Sequence, residues 1–291
     1  MVAELTRRTF VKIAMATSLT AASSMRILGA NDRIRLGIIG TGDRGKYLMD
    51  QANKVGGLDW VAVCDAWDRR RDEAAVVAKQ PVARDADYRK LLDRKDIDGV
   101  IVATCDTLHS QVTVDACRAG KDVYVEKPMT SLPMQGHDII KAAGENQRII
   151  QVGQQQRSMP NFIEAKQKIV DAGLLGEVNM VRTLWNANRG YLTPVPPGME
   201  QKPPGLDWEA CLGWLPKIPW DPKRYFNRFS YWDLSTGGQT GGLFVHMVDV
   251  VHWFLDINTQ IMRRTSLSAL CLVHKILCTI PHQFCFVATQ A

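Results

Sequence analysis

A chain of 291 residues, with 46% apolar and 23% charged side chains, has the make-up of an ordinary globular protein, which excludes disorder and collagen-like repeats. At roughly 100–200 residues per domain, the length predicts two domains and a sizeable core. The formal charge of +6 sits at the ends: residues 1–30 carry a net +3, residues 259–291 another +3, and 31–258 balance 29 basic against 29 acidic side chains. A nucleic-acid binder needs a concentrated basic face to displace phosphate counterions, so no nucleic-acid partner is expected.

The first segment, residues 1–30, holds Thr6-Arg7-Arg8-Thr9-Phe10-Val11-Lys12 and then a mildly apolar run, Ile13 to Ala22. A charged start, a short apolar stretch and small residues make a secretory signal, and paired arginines indicate the twin-arginine route to the periplasm or the outside. The run is about half the ~20 residues that cross a bilayer, so no stable membrane span is expected. A cut after Ala30 leads directly into the first strand, although Leu28 is larger than the usual small residue at its position. Four of the seven cysteines, Cys64, Cys105, Cys117 and Cys211, are scattered without close pairs. That is a poor disulfide framework, and no metal site is expected.

Ile34–Ile39 reads as a strand that runs into Gly40-Thr41-Gly42-Asp43-Arg44-Gly45, with helical periodicity from Lys46 onward. Strand, glycine loop and helix give G-x-G-x-x-G its meaning. Gly40 permits the tight turn, Gly42 lets the backbone approach a pyrophosphate, and Gly45 lets the helix pack close to the sheet. A second strand, Leu58–Cys64, ends at Asp65, about 20 residues further on, where a carboxylate accepts from the adenine ribose hydroxyls. That acid favours NAD. Arg69, Arg70 and Arg71 stand just beyond and leave NADP as the second option. Further strands are predicted at Gly99–Ala103, Asp122–Glu126 and Ile149–Gly153, with helical segments between them. Alternation of this kind predicts a Rossmann-type doubly wound parallel sheet over residues 31–150, with ligands at the carboxyl ends of its strands.

Val123-Tyr124-Val125-Glu126-Lys127-Pro128 closes the fourth of these strands. Proline restricts the residue before it, which holds Lys127 at the active edge of the sheet. An ammonium there stabilises the alkoxide that develops as a hydroxyl-bearing carbon loses hydride.

Glycine loop, strand-end acid and Glu-Lys-Pro, in that order, resemble the Gfo/Idh/MocA family of nicotinamide-dependent oxidoreductases over roughly residues 33–258. The likeness extends through Thr104-Cys105-Asp106-Thr107-Leu108-His109, Gln151–Arg157, and the Trp220–Phe226 and Tyr231–Asp233 segments, which look like a bacterial branch with exported members. It implies a second α+β domain with an open sheet over 151–258 that forms the substrate floor and often the subunit interface, hence a homo-oligomer if that domain is complete. The implied substrate is a sugar- or cyclitol-like alcohol. Cofactor contacts are implied at Gly40, Gly42, Asp43, Arg44, Gly45, Asp65, Thr104, His109, Glu126 and Lys127. Gly241–Trp253 is similar to the family's active-site helix, which assigns His246 the acid/base role beside Lys127. His246, Asp249 and Trp253 share one helical face, and Asp249 is a further catalytic candidate.

Two departures stand out. The family commonly carries an acid four residues before the histidine, where this chain has Gly242, and loss of that carboxylate predicts weakened or rearranged acid/base catalysis. Beyond Asn258 the likeness stops: residues 259–291 contain neither Asp nor Glu and hold Cys271, Cys278 and Cys285 at even spacing. An atypical tail of this kind reads as a segment out of frame, and predicts an unfinished sheet with an open edge. Two alternatives to the oxidoreductase follow: a redox-neutral NAD-dependent glycosidase, or a non-catalytic cofactor-binding remnant.

Overall fold

The computed structural model describes residues 33–184, 193–238, 240–257 and 283–287. The proposed signal segment and its cleavage point lie outside these residues, as does all of the tail except Gln283–Val287.

Six parallel strands make the first sheet: β1 (Ile34–Ile39), β2 (Leu58–Cys64), β3 (Ala83–Asp85), β4 (Gly99–Val102), β5 (Asp122–Glu126) and β6 (Ile150–Gly153). Their spatial order, β3-β2-β1-β4-β5-β6, is that of the doubly wound dinucleotide-binding fold. Helices α1 (Asp43–Val55), α2 (Asp68–Ala78), α3 (Tyr88–Leu92), α4 (Asp106–Arg118) and α5 (Pro133–Asn146) cover both faces. One face packs Val100, Val102, Val112, Val125 and Ile139 together. The other packs Ile38, Met49, Trp60, Val63 and Ala74. Burial on both faces explains why the central strands read as near-continuous apolar runs rather than alternating ones.

The expected strands fall where the sequence places them, to within one residue at the end of β4 and the start of β6. Helix α1 begins three residues earlier than its apolar periodicity, at Asp43, because the end of the glycine loop is already helical. Strand β3, with three residues at the sheet edge, is too short to carry a period and went unread.

After β6 the chain makes a 3₁₀ turn (Gln155–Ser158), a short helix α6 (Pro160–Ala165) with a π turn after it (Lys166–Val170), and β7 (Met180–Leu184). Strand β7 pairs antiparallel with β8 (Gln283–Val287), Met180 opposite Val287 and Leu184 opposite Gln283. The tail thus contributes one strand, and among the described residues this second sheet stays at two strands, short of a complete open sheet.

The proline- and tryptophan-rich stretch folds back on the first domain. Helices α7 (Trp208–Leu212) and α8 (Pro222–Phe226), each N-capped by an aspartate side chain (Asp207, Asp221), frame an aromatic core. Trp208, Leu212, Leu215, Tyr225 and Leu234 gather there around Trp67 from the start of α2. Backbone hydrogen bonds stitch the two together: Asp207 N–H donates to the Ala66 carbonyl at 2.9 Å, and Asp68 N–H to the Gly205 carbonyl at 3.2 Å. The Trp214 indole donates to the Thr107 carbonyl at 2.6 Å. The last described helix, α9 (Val245–Phe254), seats Val250 and Phe254 against Phe162 of α6. Among the described residues, no helix is long and apolar enough to cross a membrane.

Candidate active site

The strand order reverses between β1 and β4, and their carboxyl ends open a crevice there. Gly40 leaves β1 with φ of +90°, and a Cβ on it would come within 2.5 Å of the Ala103 carbonyl group. A Cβ on Gly45 would lie 2.1 Å from the Gly40 oxygen, so the first turn of α1 can seat on the loop only without a side chain. Gly42 is the N-cap of α1 and supplies no side-chain hydrogen bond to it. The amides of that turn are thereby left for an anionic ligand, which the helix dipole also favours.

Asp65 holds this loop. One carboxylate oxygen accepts from the Thr41 N–H at 2.8 Å and the other from the Trp67 N–H at 3.0 Å. The first oxygen also accepts from the Thr41 hydroxyl at 3.4 Å, so it is the oxygen facing Trp67 that keeps a lone pair for a ribose hydroxyl, and the side chain lies on the cavity wall. Of the three arginines beyond it, Arg71 turns back to donate to the Asp65 carbonyl at 2.6 Å. Arg70 instead lies over the Trp67 and Tyr225 rings, 5.7 and 5.2 Å from their centroids. Its guanidinium is 3.5 Å from the Cβ position of Gly42, which makes it the basic group beside the glycine loop.

Asp43 is exposed and pairs with Lys46 at 3.6 Å. Arg44 reaches across to β5, where its Nε and Nη2 both donate to Oε1 of the buried Glu126, at 2.8 and 2.6 Å. A Cβ at Gly153, the last residue of β6, would lie 3.0 Å from that same oxygen. At the end of β4, the buried His109 stands between two carbonyls, with Nδ1 2.7 Å from the Pro128 oxygen and Nε2 3.3 Å from the Thr104 oxygen. Both ring nitrogens are thus turned to the main chain. Burial pushes the imidazole below its ordinary pKa. His109 acts through the two segments that it ties together.

Lys127 follows β5 and precedes a cis peptide to Pro128. Its ammonium donates to the Gly242 carbonyl at 2.6 Å and lies 6.0 Å from the centroid of Phe229. Burial lowers its pKa, while the carboxylates of Glu126 and Asp106 oppose that shift. The buried His246, one turn beyond Gly242, lines the same cavity of about 1040 Å³ as Lys127, Asp65 and the glycine loop. Asp249 lies off that wall. Its two oxygens accept from Nη2 and Nε of Arg157, each at 2.8 Å, which ties α9 to the turn after β6.

Asp43, Thr104, Lys127 and His246 therefore line one cavity, whereas Asp249 lies off it in an ion pair with Arg157. Sequence reasoning did not find Arg228, whose side chain enters the cavity wall from the covering segment. An arginine in an irregular stretch carries no periodicity that would mark it. Among the described residues, no cluster of metal-ligating side chains occurs.

A strand-order reversal, a glycine loop shut to side chains and a strand-end acid define a nucleotide-binding α/β fold. Residues 34–154 match the model of the Gfo/Idh/MocA family, described as "Oxidoreductase family, NAD-binding Rossmann fold". Over 190 residues the chain is 31% identical to an inositol 2-dehydrogenase of Salmonella paratyphi B, covering 64% of this chain and 54% of that one. It is 35% identical over 155 residues to an inositol 2-dehydrogenase/D-chiro-inositol 3-dehydrogenase of Halalkalibacterium halodurans, covering 51% of this chain and 43% of that one. The chain thus spans about half the length of the curated relatives it matches. The fold is similar to that of a myo-inositol dehydrogenase from Lactobacillus casei in complex with NAD(H) and myo-inositol, with a TM-score of 0.58 and 22% identity over 77% of this chain and 55% of that one.

The residues present fit NAD. The loop would be filled by any Cβ at Gly40 or Gly45, α1 has no side-chain cap, and Asp65 retains acceptor capacity on the wall.

Proposed function

We propose that this chain is a nicotinamide-dependent oxidoreductase that moves hydride between NAD and a secondary alcohol on a cyclitol- or sugar-like ring. The observation that carries the reading is the convergence of the glycine loop, Asp65, Lys127 and His246 on one cavity. The inositol dehydrogenases among its relatives support a cyclitol as the substrate class.

In this reading Gly40, Gly42, Gly45 and the first turn of α1 hold the diphosphate, and Asp65 takes the ribose hydroxyls. When bound, NAD supplies the hydride acceptor. Lys127 donates a hydrogen bond to the reacting hydroxyl and stabilises its oxygen as negative charge develops. Burial makes its ammonium a readier donor than a surface lysine. His246, on the wall of the same cavity, takes the hydroxyl proton.

The test is to titrate NAD and NADP into the purified chain by calorimetry and then follow nicotinamide reduction with myo-inositol and a panel of hexoses. NAD is expected to bind more tightly than NADP. Lys127→Met is expected to cut turnover by about 10²-fold while leaving the NAD dissociation constant within about twofold. Loss of cofactor binding and turnover together would place Lys127 in the fold rather than the chemistry, and no affinity for either cofactor would end the reading.

A further inference from the structure

Two cysteines meet at the seam between the first domain and the segment that covers it, and the hydride chemistry uses neither. Cys105 is the N-cap of α4, and Cys211 sits in α7 of the covering segment. Both line the large cavity and a smaller void beside it. The Cys105 sulfur is 3.8 Å from the main-chain oxygen of Cys211, which brings the two residues into contact across the seam. Both are free and partly exposed, whereas Cys64 and Cys117 are free and buried.

The surroundings of the two thiols differ. Arg228 donates from Nη1 to the sulfur of Cys105, and the amino end of the thirteen-residue α4 adds its positive dipole. A guanidinium and a helix N-terminus both favour thiolate over thiol. Cys105 is in turn the largest of the influences that hold the Arg228 guanidinium above its ordinary pKa. Burial, then the charge of Cys105, pushes the Cys211 thiol up.

We propose that Cys105 is a peroxide-reactive thiolate that closes to a disulfide with Cys211, tying the covering segment to the first domain across the cavity. The Cys105 thiolate attacks one oxygen of hydrogen peroxide; the S–O bond forms, the O–O bond breaks, and hydroxide leaves. Cys211 then attacks the sulfur of the Cys105 sulfenic acid; the S–S bond forms, the S–O bond breaks, and the departing oxygen takes the Cys211 proton to leave as water. Peroxide is reduced by two electrons and the two thiols are oxidised by two. The crosslink needs no cofactor; only its consequence, slower cofactor release, rests on the function proposed above.

The experiment uses the full chain, with peptide-resolved mass spectrometry under non-reducing conditions. Iodoacetamide is expected to label Cys105 about tenfold or more faster than Cys64, Cys117 or Cys211. Hydrogen peroxide is expected to yield a peptide pair joined through 105 and 211, absent from Cys105→Ser and Cys211→Ser. Arg228→Met is expected to slow Cys105 labelling about tenfold and Arg228→Lys much less, which separates charge from folding. Labelling of Cys105 no faster than Cys64, or its oxidation to sulfinic acid without the crosslink, overturns the proposal. If the crosslink forms and NADH leaves the oxidised chain as fast as the reduced one, the tie across the cavity is overturned. Absence of cofactor binding in both forms strikes the proposed function and leaves the crosslink standing.

Discussion

Lys127 meets position 242 through the main chain, and the missing carboxylate there can be judged in atomic terms. A Cβ on Gly242 would lie 3.0 and 3.1 Å from the edge of the Phe229 ring, which stands in the way of a side chain there. An aspartate at this position would stand one turn before His246 on the same face and support its charged form. Gly242→Asp alone is therefore expected to gain little, because the ring blocks it. Paired with Phe229→Ala, it is expected to raise kcat by about tenfold. Steady-state kinetics on the cofactor-loaded double variant check this; an unchanged kcat would show that acid/base catalysis here does not depend on that carboxylate. The glycine loop was legible in the sequence because each of its glycines answers a steric demand of a known local geometry. The contact between residues 229 and 242 was not, because no spacing rule joins a loop phenylalanine to a glycine thirteen positions on.

Helix α4 is the element that fastens the crevice. Its first turn carries His109, which bridges the ends of β4 and β5 by facing the Thr104 and Pro128 carbonyls. Burial holds this imidazole below the ordinary histidine value, against the opposing pull of the Pro128 and Thr104 carbonyls and of the Asp106 and Glu126 carboxylates. As pH falls below about 6.5, the unfolded chain binds a proton that the folded chain refuses, so stability is lost on acidification and is flat above that value. The slope from this one group is at most about 1.4 kcal/mol per pH unit. His109→Gln keeps a donor for one carbonyl and removes the titration. Urea unfolding between pH 5 and 7 is expected to show a pH dependence weaker by about 1–2 kcal/mol in the variant. Parallel profiles would exclude His109 as the group responsible. Strands β1, β2 and β5 were bounded correctly from apolar runs alone, since burial on both faces writes itself into composition. Asp249 was misleading for the opposite reason: sharing a helical face with His246 is a property of the helix, while its partner, Arg157, comes from another element.

On the scale of the whole molecule, the two parts that follow β6 are held by different amounts of core. The covering segment, from Met199 to Leu234, has an aromatic cluster in which Trp208, Trp220 and Tyr225 meet at centroid distances of 5.3–6.1 Å. That cluster includes Trp67 of the first domain, so the segment unfolds with the nucleotide-binding sheet rather than apart from it. The region from α6 to β7 rests on Phe162, Val250 and Phe254, and leaves Ile169, Leu174, Met180 and Leu184 between 44% and 73% exposed. A region with so few buried contacts opens at lower free energy. Limited trypsin digestion is therefore expected to cut after Lys168 or Arg182 before any cut after Lys217, Lys223 or Arg228. Saturating NAD at about 100 times its dissociation constant adds roughly 2.7 kcal/mol to whatever unfolds with the nucleotide site. Cuts in the covering segment are thus expected to slow markedly with NAD, and those at Lys168 and Arg182 to keep their rate. Equal protection of both regions would show that α6 to β7 shares the cooperative unit, and faster cutting within the covering segment would show that its aromatic core does not join it to the first domain.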